Sequence, residues 1–161
     1  MFGFRRIVKA KGPDRFVITM GDNEREVIGS VCADLAGIIA GDSGEPMLRR
    51  VFPVAHATDE KVEQEYRDLV HSDLVRTRCE HLERMAATAT EPQVDRRTIE
   101  SWLIALNTVR LVLGTRLDVA EDVAPKLEPD DPELPAWALY EYLGAVVSAI
   151  VDALMDAPEP A

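Results

Sequence analysis

Three histidines and a cysteine are the side chains of this sequence best suited to metal or acid–base chemistry. Cys79 and His81 lie two residues apart, which brings two metal-ligating side chains close together along the chain. On a helix, side chains two apart point to nearly opposite sides, whereas helical metal pairs use spacings of three or four. We therefore expect no metal site, and we expect His56, His71 and His81 to lie on the solvated surface.

The two cysteines differ in their neighbours. Cys32 lies next to Val31 beside an apolar stripe, so we expect it to be a small buried side chain. Cys79 lies in a polar stretch between Arg78 and Glu80, where cationic neighbours favour the thiolate, which is the oxidisable form. Both are redox candidates, and Cys79 is the better one. A disulfide between them requires Cα atoms within about 7 Å of each other, which the sequence leaves open.

A polar cluster interrupts the most strongly apolar helical stretch of the chain. Its members are Asn107, Arg110, Thr115 and Arg116. Arg110 falls on the same side as Leu103 and Leu106, and buried polar groups need partners, so we expect its guanidinium to meet a carboxylate of another helix or a helix C-terminus. Two interpretations stay open: an internal ion pair that fixes helix packing, or a site for an anion or a protein partner.

No catalytic motif accompanies these residues. The sequence lacks a Ser-His-Asp arrangement, a GxSxG elbow, a P-loop, a GxGxxG turn and an HExxH helix. The many carboxylates fall on helix surfaces or in one acidic segment, where they keep the chain soluble. We therefore expect a protein that is not an enzyme and that needs no cofactor.

Composition limits the class of protein further. The chain has 161 residues, 47% of them hydrophobic, and a formal net charge of -11, which suits one globular domain and opposes nucleic-acid binding. A local basic patch leaves direct DNA binding open: Arg5, Arg6, Lys9 and Lys11. With no signal peptide and no run of about 18 apolar residues, we expect a cytoplasmic protein with free thiols and no membrane association.

The pattern of apolar residues predicts a mainly α-helical bundle with a small N-terminal β-hairpin, in a single domain spanning residues 1–161. The hairpin occupies residues 1–21, with strands from Phe4 to Ala10 and from Asp14 to Met20. Helices fill residues 22–117, and an acidic, proline-rich loop covers residues 118–133. A final apolar helix follows at residues 134–155 and is expected to pack on the preceding helix and on a second copy of the chain.

Capping residues mark where the predicted helices begin. Asp22 is expected to cap a helix that reaches Ile39, and Thr58 a long helix that reaches Met85, with a break near Ser72. Between these two helices, residues 47–57 read as an irregular or short helical connection. Asp95 is expected to cap the third helix, which ends near residue 117.

The run WLIALNTVRLVLGTRL at residues 102–117 resembles the core of an actinobacterial family long described only as a domain of unknown function and now described as actinomycete oxidative-stress transcriptional regulators. Two further features support the resemblance, namely Phe4-Arg5-Arg6 at the N-terminus and Tyr140-Glu141-Tyr142-Leu143-Gly144 after the acidic loop. The order of these features extends over nearly the whole chain.

The resemblance implies a cytosolic helical regulator that responds to oxidants by forming a cysteine disulfide and acts with a sigma factor at RNA polymerase. The redox members of the family carry two cysteines separated by three residues. Here the positions four away from Cys32 and Cys79 hold other residues: Ile28, Ala36, Val75 and Glu83. We thus expect a non-enzymatic, homodimeric regulator that works through a protein partner. A redox-independent adaptor is the alternative, and an anion-binding protein or enzyme that uses Asn107, Arg110 and Arg116 is a third option.

Overall fold

The computed structural model describes residues 6–52, 60–119 and 128–160. Its mainly helical architecture with a small sheet near the N-terminus confirms the predicted fold class. In chain order, the elements are strands β1 (Val8–Ala10) and β2 (Phe16–Ile18), helices α1 (Asp22–Gly41), α2 (Glu60–Tyr66) and α3 (Ser72–Thr88), strand β3 (Gln93–Val94), and helices α4 (Arg96–Arg116) and α5 (Leu134–Asp156). The helices pack in sequence, α1 on α3, α3 on α4 and α4 on α5, so that one apolar core runs through them.

The sheet contains the expected hairpin and a third strand that the sequence did not reveal. Strands β1 (Val8–Ala10) and β2 (Phe16–Ile18) are antiparallel, and both are shorter than predicted. The turn between them contains Gly12, whose φ of 133° is accessible to glycine but strained for other residues. Strand β3 (Gln93–Val94) lies antiparallel along the other edge of β2.

Helix α1 (Asp22–Gly41) begins where expected but without the predicted cap. Gly21 occupies the N-cap position and makes no side-chain capping hydrogen bond, so the capping role assigned to Asp22 was wrong. Asp22 and Glu24 lie instead in the first turn, where a negative charge interacts favourably with the helix dipole. A short 3-10 helix follows at Pro46–Leu48, within the stretch predicted as irregular or short helical.

The second predicted helix is divided into three parts. Helix α2 (Glu60–Tyr66) passes into a π-helical turn (Arg67–His71), and α3 (Ser72–Thr88) continues from there. The π turn ends at the position where a break near Ser72 was expected. The predicted cap at Thr58 lies outside the described residues.

The last two helices agree with the prediction. Helix α4 spans Arg96–Arg116, and the side chain of its N-cap residue, Asp95, accepts a hydrogen bond from the backbone N–H of Thr98 at 2.8 Å. Helix α5 spans Leu134–Asp156. Between them, the described parts of the acidic segment are turns, and residues 120–127 lie outside the described ranges.

Helix α5 leaves much of its apolar surface uncovered. Its mean hydropathy in an 18-residue window is 1.5, which is enough for a membrane span by length and composition, and 22% of that window is buried. One such helix is weak evidence for a membrane span, since core helices of soluble proteins pass the same test. Here the exposed side chains include Val151 and Met155.

A buried arginine ties the sheet to α1. Arg25 is 5% exposed, and its guanidinium donates to the carbonyls of Ile18, Met20 and Glu91 at distances of 2.6 to 3.0 Å. These bonds satisfy a charged group that would be costly to bury without partners. Arg25 thereby joins α1 to β2 and to the turn before β3.

Candidate functional site

The two cysteines are both protonated thiols at neutral pH. Cys32 is fully buried, and burial raises its pKa to about 12. Cys79 is half-buried, its Sγ donates to the carbonyl of Ala36 at 3.6 Å, and burial together with the charge of Glu83 raises its pKa. The expectation that cationic neighbours favour the Cys79 thiolate was therefore wrong, because burial and a carboxylate outweigh the arginine beside it in sequence.

The two thiols also face different surroundings. Cys32 borders a small apolar space with Leu106 and Val109 of α4 and Leu143 of α5, whereas Cys79 contacts the last part of α1. Both are free cysteines. In this conformation neither has the electropositive, accessible surroundings that make a cysteine reactive.

His71 and His81 are not solvated surface groups, so the expectation was wrong for these two histidines. His81 is half-buried, and its Nδ1 shares a hydrogen bond of 2.9 Å with Oγ of Ser101. His71 is half-buried and hydrogen-bonds Ser43. His56 lies outside the described residues. Among the described residues, no cluster of three or more histidine, cysteine or carboxylate side chains could hold a metal ion.

The predicted polar cluster separates into two parts. Asn107 and Arg110 line an open cleft, which is described below. Thr115 is buried and its hydroxyl donates to the Leu111 carbonyl at 2.8 Å, so it serves the helix itself. Arg116 is exposed and pairs with Glu133 at 3.4 Å. Only the first two residues therefore belong to a common site.

Arg110 is held against an aromatic ring and not against a carboxylate. Its guanidinium carbon lies 4.5 Å from the centre of the Tyr140 ring, and Nε donates to the Tyr140 carbonyl at 3.5 Å. A Cβ placed on Gly144 would lie 3.2 Å from Nη2 of Arg110, so the absence of a side chain there leaves room for the guanidinium. No carboxylate whose side chain the structure describes lies within ion-pairing distance of Arg110, so the internal ion pair stays a prediction.

These side chains border a cleft of about 400 Å³ that we call the arginine cleft. It lies among α3, α4, α5 and the segment after the 3-10 helix. Three arginines from three different elements line it, namely Arg50, Arg78 and Arg110. The remaining lining residues are Ile104, Asn107, Leu111, Gly114 and Tyr140.

Neutral oxygen atoms hold the other two arginines in place. Arg78 donates from Nη1 to the hydroxyl of Thr108 at 3.1 Å. Arg50 donates from Nη2 to the carbonyl of Val119 at 3.2 Å, and a Cβ on Gly114 would lie 3.0 Å from Arg50 Nη1. Each guanidinium is thus oriented by an acceptor that leaves its charge uncompensated.

The arginine cleft is a positive site in an acidic protein. Arg50, Arg78 and Arg110 form no ion pair with any carboxylate whose side chain the structure describes, whereas the exposed Arg76 pairs with two carboxylates. The pKa of the nearby His81 is lowered, first by burial and then by the positive charges of Arg84 and Arg78. A concave site lined by one sign of charge concentrates counter-ions.

The chemistry available in the arginine cleft is recognition of an anion. Guanidinium groups form paired hydrogen bonds with phosphate and carboxylate oxygens, and Asn107 adds an amide that can donate or accept. The cleft-lining residues of the described part include no carboxylate, histidine, cysteine or lysine that could serve as a base or nucleophile. The arrangement therefore suits binding.

The residues that carry the sequence resemblance meet at this cleft. Asn107, Arg110 and Gly114 come from the run in α4, and Tyr140 and Gly144 come from the run in α5. Fold and site together define a mainly helical protein with a three-stranded sheet and an arginine-lined cleft. Residues 1–154 match the family model described as "Domain of unknown function (DUF2017)", and the chain belongs to that family. No curated protein and no solved structure matches it significantly.

Proposed function

We propose that this chain is a non-enzymatic regulatory protein whose arginine cleft binds a compact anion of the phosphate class. The observation that carries the proposal is the convergence of Arg50, Arg78 and Arg110 on one cleft with no ion-pairing carboxylate in the described chain. In a chain with a net charge of -11, such a cluster opposes the general trend of the sequence. An anion with two or more charges would offset the mutual repulsion of the guanidinium groups.

The phosphate class fits better than a single carboxylate. A phosphate or diphosphate presents several oxygens in different directions, so arginines that approach from different helices can each form a paired contact. A carboxylate has one plane and two oxygens, which one guanidinium can satisfy. A volume of about 400 Å³ also leaves room for a small organic group beside the charged part of the ligand.

A regulatory role is supported by the elements that the ligand would bridge. Arg78 belongs to α3 and Arg110 to α4. Arg50 follows the 3-10 helix, and its guanidinium contacts Val119 at the start of the acidic loop. A ligand bound to all three would favour the arrangement in which these elements are close. The bound and free states would then differ in the surface offered to a protein partner, and the family resemblance makes a sigma factor or RNA polymerase the partner to test.

Oxidant sensing through Cys32 and Cys79 receives less support from the structure. Both thiols have raised pKa values, and the buried one is reached only if the helices separate. The anion proposal does not depend on either thiol. A redox response, if measured, would require an opening step before oxidation.

A second candidate, docking through α5, is favoured by a separate observation. Val151 and Met155 are 37% and 79% exposed on a helix of high mean hydropathy. This surface fits the expectation of a homodimer. Analytical ultracentrifugation tests it: we expect a dimer that Val151→Glu dissociates, and a wild-type monomer at about 100 µM would contradict it.

Calorimetric titration with pyrophosphate tests the anion proposal. We expect measurable binding to the wild-type protein at low salt, and at least about tenfold weaker binding to Arg110→Gln, which corresponds to about 1.4 kcal/mol. Arg116→Gln is the matched control, because it removes the same charge from the same helix outside the cleft. Loss of affinity equal in both variants, or no binding to the wild type, would overturn the proposal.

A further inference from the structure

A second and larger groove, of about 820 Å³, lies between strand β1 and helix α5. One wall is the stretch from Arg6 to Lys11, and the other consists of α5 residues, including Asp152 and Asp156, and of Pro158 after the helix. Three small side chains of α5 leave space in the groove, namely Ala145, Ser148 and Ala149. The groove shares no lining residue with the arginine cleft, although Ala145 directly follows Gly144 in α5.

The wall formed by β1 is the free edge of the sheet. The order of strands is β1-β2-β3, so among the described residues β1 has a neighbouring strand on one side only. The backbone N–H of Thr19 donates to the Ile7 carbonyl and that of Lys11 donates to the Arg15 carbonyl, both at 2.8 Å. Because the pattern alternates along an antiparallel pair, the backbone N–H and C=O groups that face β2 are those of residues 7, 9 and 11. In an antiparallel pair the alternate residues direct their N–H and C=O groups away from the partner strand.

Val8 and Ala10 are those alternate residues. They lie opposite Ile18 and Phe16, and the Ile18 N–H bonds across to the carbonyl of Pro92 on the far side of β2, which confirms the alternation. The backbone groups of Val8 and Ala10 form no hydrogen bond within the described ranges. Val8 is only 3% exposed and Ala10 is half-buried, yet both line the groove, so their two donors and two acceptors form a short template without a partner at its wall.

The charges at the edge indicate which kind of segment fits. Lys9 and Lys11 are exposed and have no ion-pairing carboxylate in the described chain, while Arg6 pairs with Asp156 at 3.0 Å at the end of the groove. An added strand would place every second side chain on the same face as Val8, above the small residues of α5, where small apolar side chains fit. The remaining side chains would lie beside Lys9 and Lys11, where acidic side chains fit.

We propose that this groove binds an extended segment of a partner protein, in which small apolar and acidic side chains alternate, as a strand added to β1. Main-chain hydrogen bonds to Val8 and Ala10 supply the affinity, and the lysines select the charge. A second copy of the chain fits the edge less well. Symmetric pairing of two β1 strands about Lys9 would place like charges directly opposite each other, which is destabilising.

Fluorescence anisotropy with a labelled synthetic peptide tests this proposal. The probe is a short peptide of alternating valine and glutamate, and the comparison peptide has lysine in place of glutamate. We expect the glutamate peptide to bind at least about tenfold more tightly. N-methylation of alternate peptide amides distinguishes strand addition from binding through side chains alone. In an added strand every second amide donates to β1, so methylation of that set should abolish binding, and methylation of the other set should leave binding unchanged.

Variants of the protein locate the peptide in the groove. Ala145→Trp fills the groove and should weaken binding at least about tenfold, whereas Ala138→Trp, at an exposed position of α5 outside the groove, should leave it unchanged. Lys9→Glu provides a second test at an exposed residue and should reverse the preference between the two peptides. The proposal is overturned if neither peptide binds, if Ala145→Trp has no effect, or if Ala145→Trp dissociates a dimer, since a second copy then occupies the groove.

Discussion

Replacement of Gly144 by alanine separates the stability of α5 from the anion affinity of the cleft. Glycine within a helix is less favourable than alanine by about 0.5–1 kcal/mol, because its backbone loses more freedom on folding. At Gly37, an exposed position in α1 with no atom within 4 Å of the added Cβ, that gain should appear in full. Gly37→Ala is therefore the matched control.

At Gly144 the same gain meets an opposing cost. The new Cβ would lie 3.2 Å from Nη2 and 3.4 Å from the guanidinium carbon of Arg110, so the guanidinium must move away from α5. Movement weakens its contact with the Tyr140 ring, which is worth about 0.5–1 kcal/mol when partly exposed. The two contributions nearly cancel, so we expect almost no change in the free energy of unfolding, together with about three- to tenfold weaker binding of pyrophosphate.

Thermal unfolding and calorimetric titration measure the two quantities. For a chain of this length, about 1 kcal/mol corresponds to about 2–4 °C in Tm, so Gly37→Ala should raise Tm by up to that amount and leave anion affinity unchanged. Gly144→Ala should leave Tm nearly constant and lower the affinity. If Gly144→Ala raises Tm as much as the control and binds pyrophosphate like the wild type, the described packing of Arg110 is refuted.

Three further outcomes follow from the helix cap at Asp95, the two thiols and the half-buried His81. Asp95→Ala should lower the free energy of unfolding by about 1 kcal/mol in denaturant titrations. Because hydrogen bonds from Thr98 lower the Asp95 pKa, the stabilisation by the cap is present above the unfolded-state pKa near 4 and is lost as pH falls through the folded-state pKa. A difference in stability between variant and wild type that persists at low pH would contradict the cap. Native Cys32 should resist alkylation at pH 8 and Cys79 should react more slowly than a peptide thiol, and rapid reaction of both would contradict their burial. NMR should show a His81 pKa below its ordinary value of 6.5. Because the pKa is lowered in the folded state, protonation of His81 should destabilise the protein as pH falls below about 6.5, and His81→Gln should remove this effect.

Two local signals in the sequence were read correctly because their partners are also local, although the cap assigned to Asp22 was not one of them. Asp95 caps α4 because the bond to Thr98 spans three residues, and the hairpin is found because its strands are joined by a short turn. Strand β3 was missed because two residues carry no periodicity, and their pairing with β2 depends on distant chain segments.

The site depends on contacts that the sequence pattern does not contain. Helical spacing placed Arg110 on an apolar face, but it could not show that Tyr140 and Gly144 lie opposite, so a carboxylate was expected. Arg50 lies in the stretch with the weakest sequence pattern, and Arg78 was considered only as a neighbour of Cys79. The sequence did contain one signal for the cleft, namely the two runs that include Gly114 and Gly144, because these glycines make room for guanidinium groups.

The central claim, an anion site formed by three arginines, is tested most directly by observing the guanidinium groups themselves. The Nε–H signals of the arginines can be followed by ¹⁵N NMR during titration with pyrophosphate. We predict that the signals of Arg50, Arg78 and Arg110 shift together with a single dissociation constant, while that of Arg116 does not. Unchanged signals, or equal shifts at Arg116, would contradict the account.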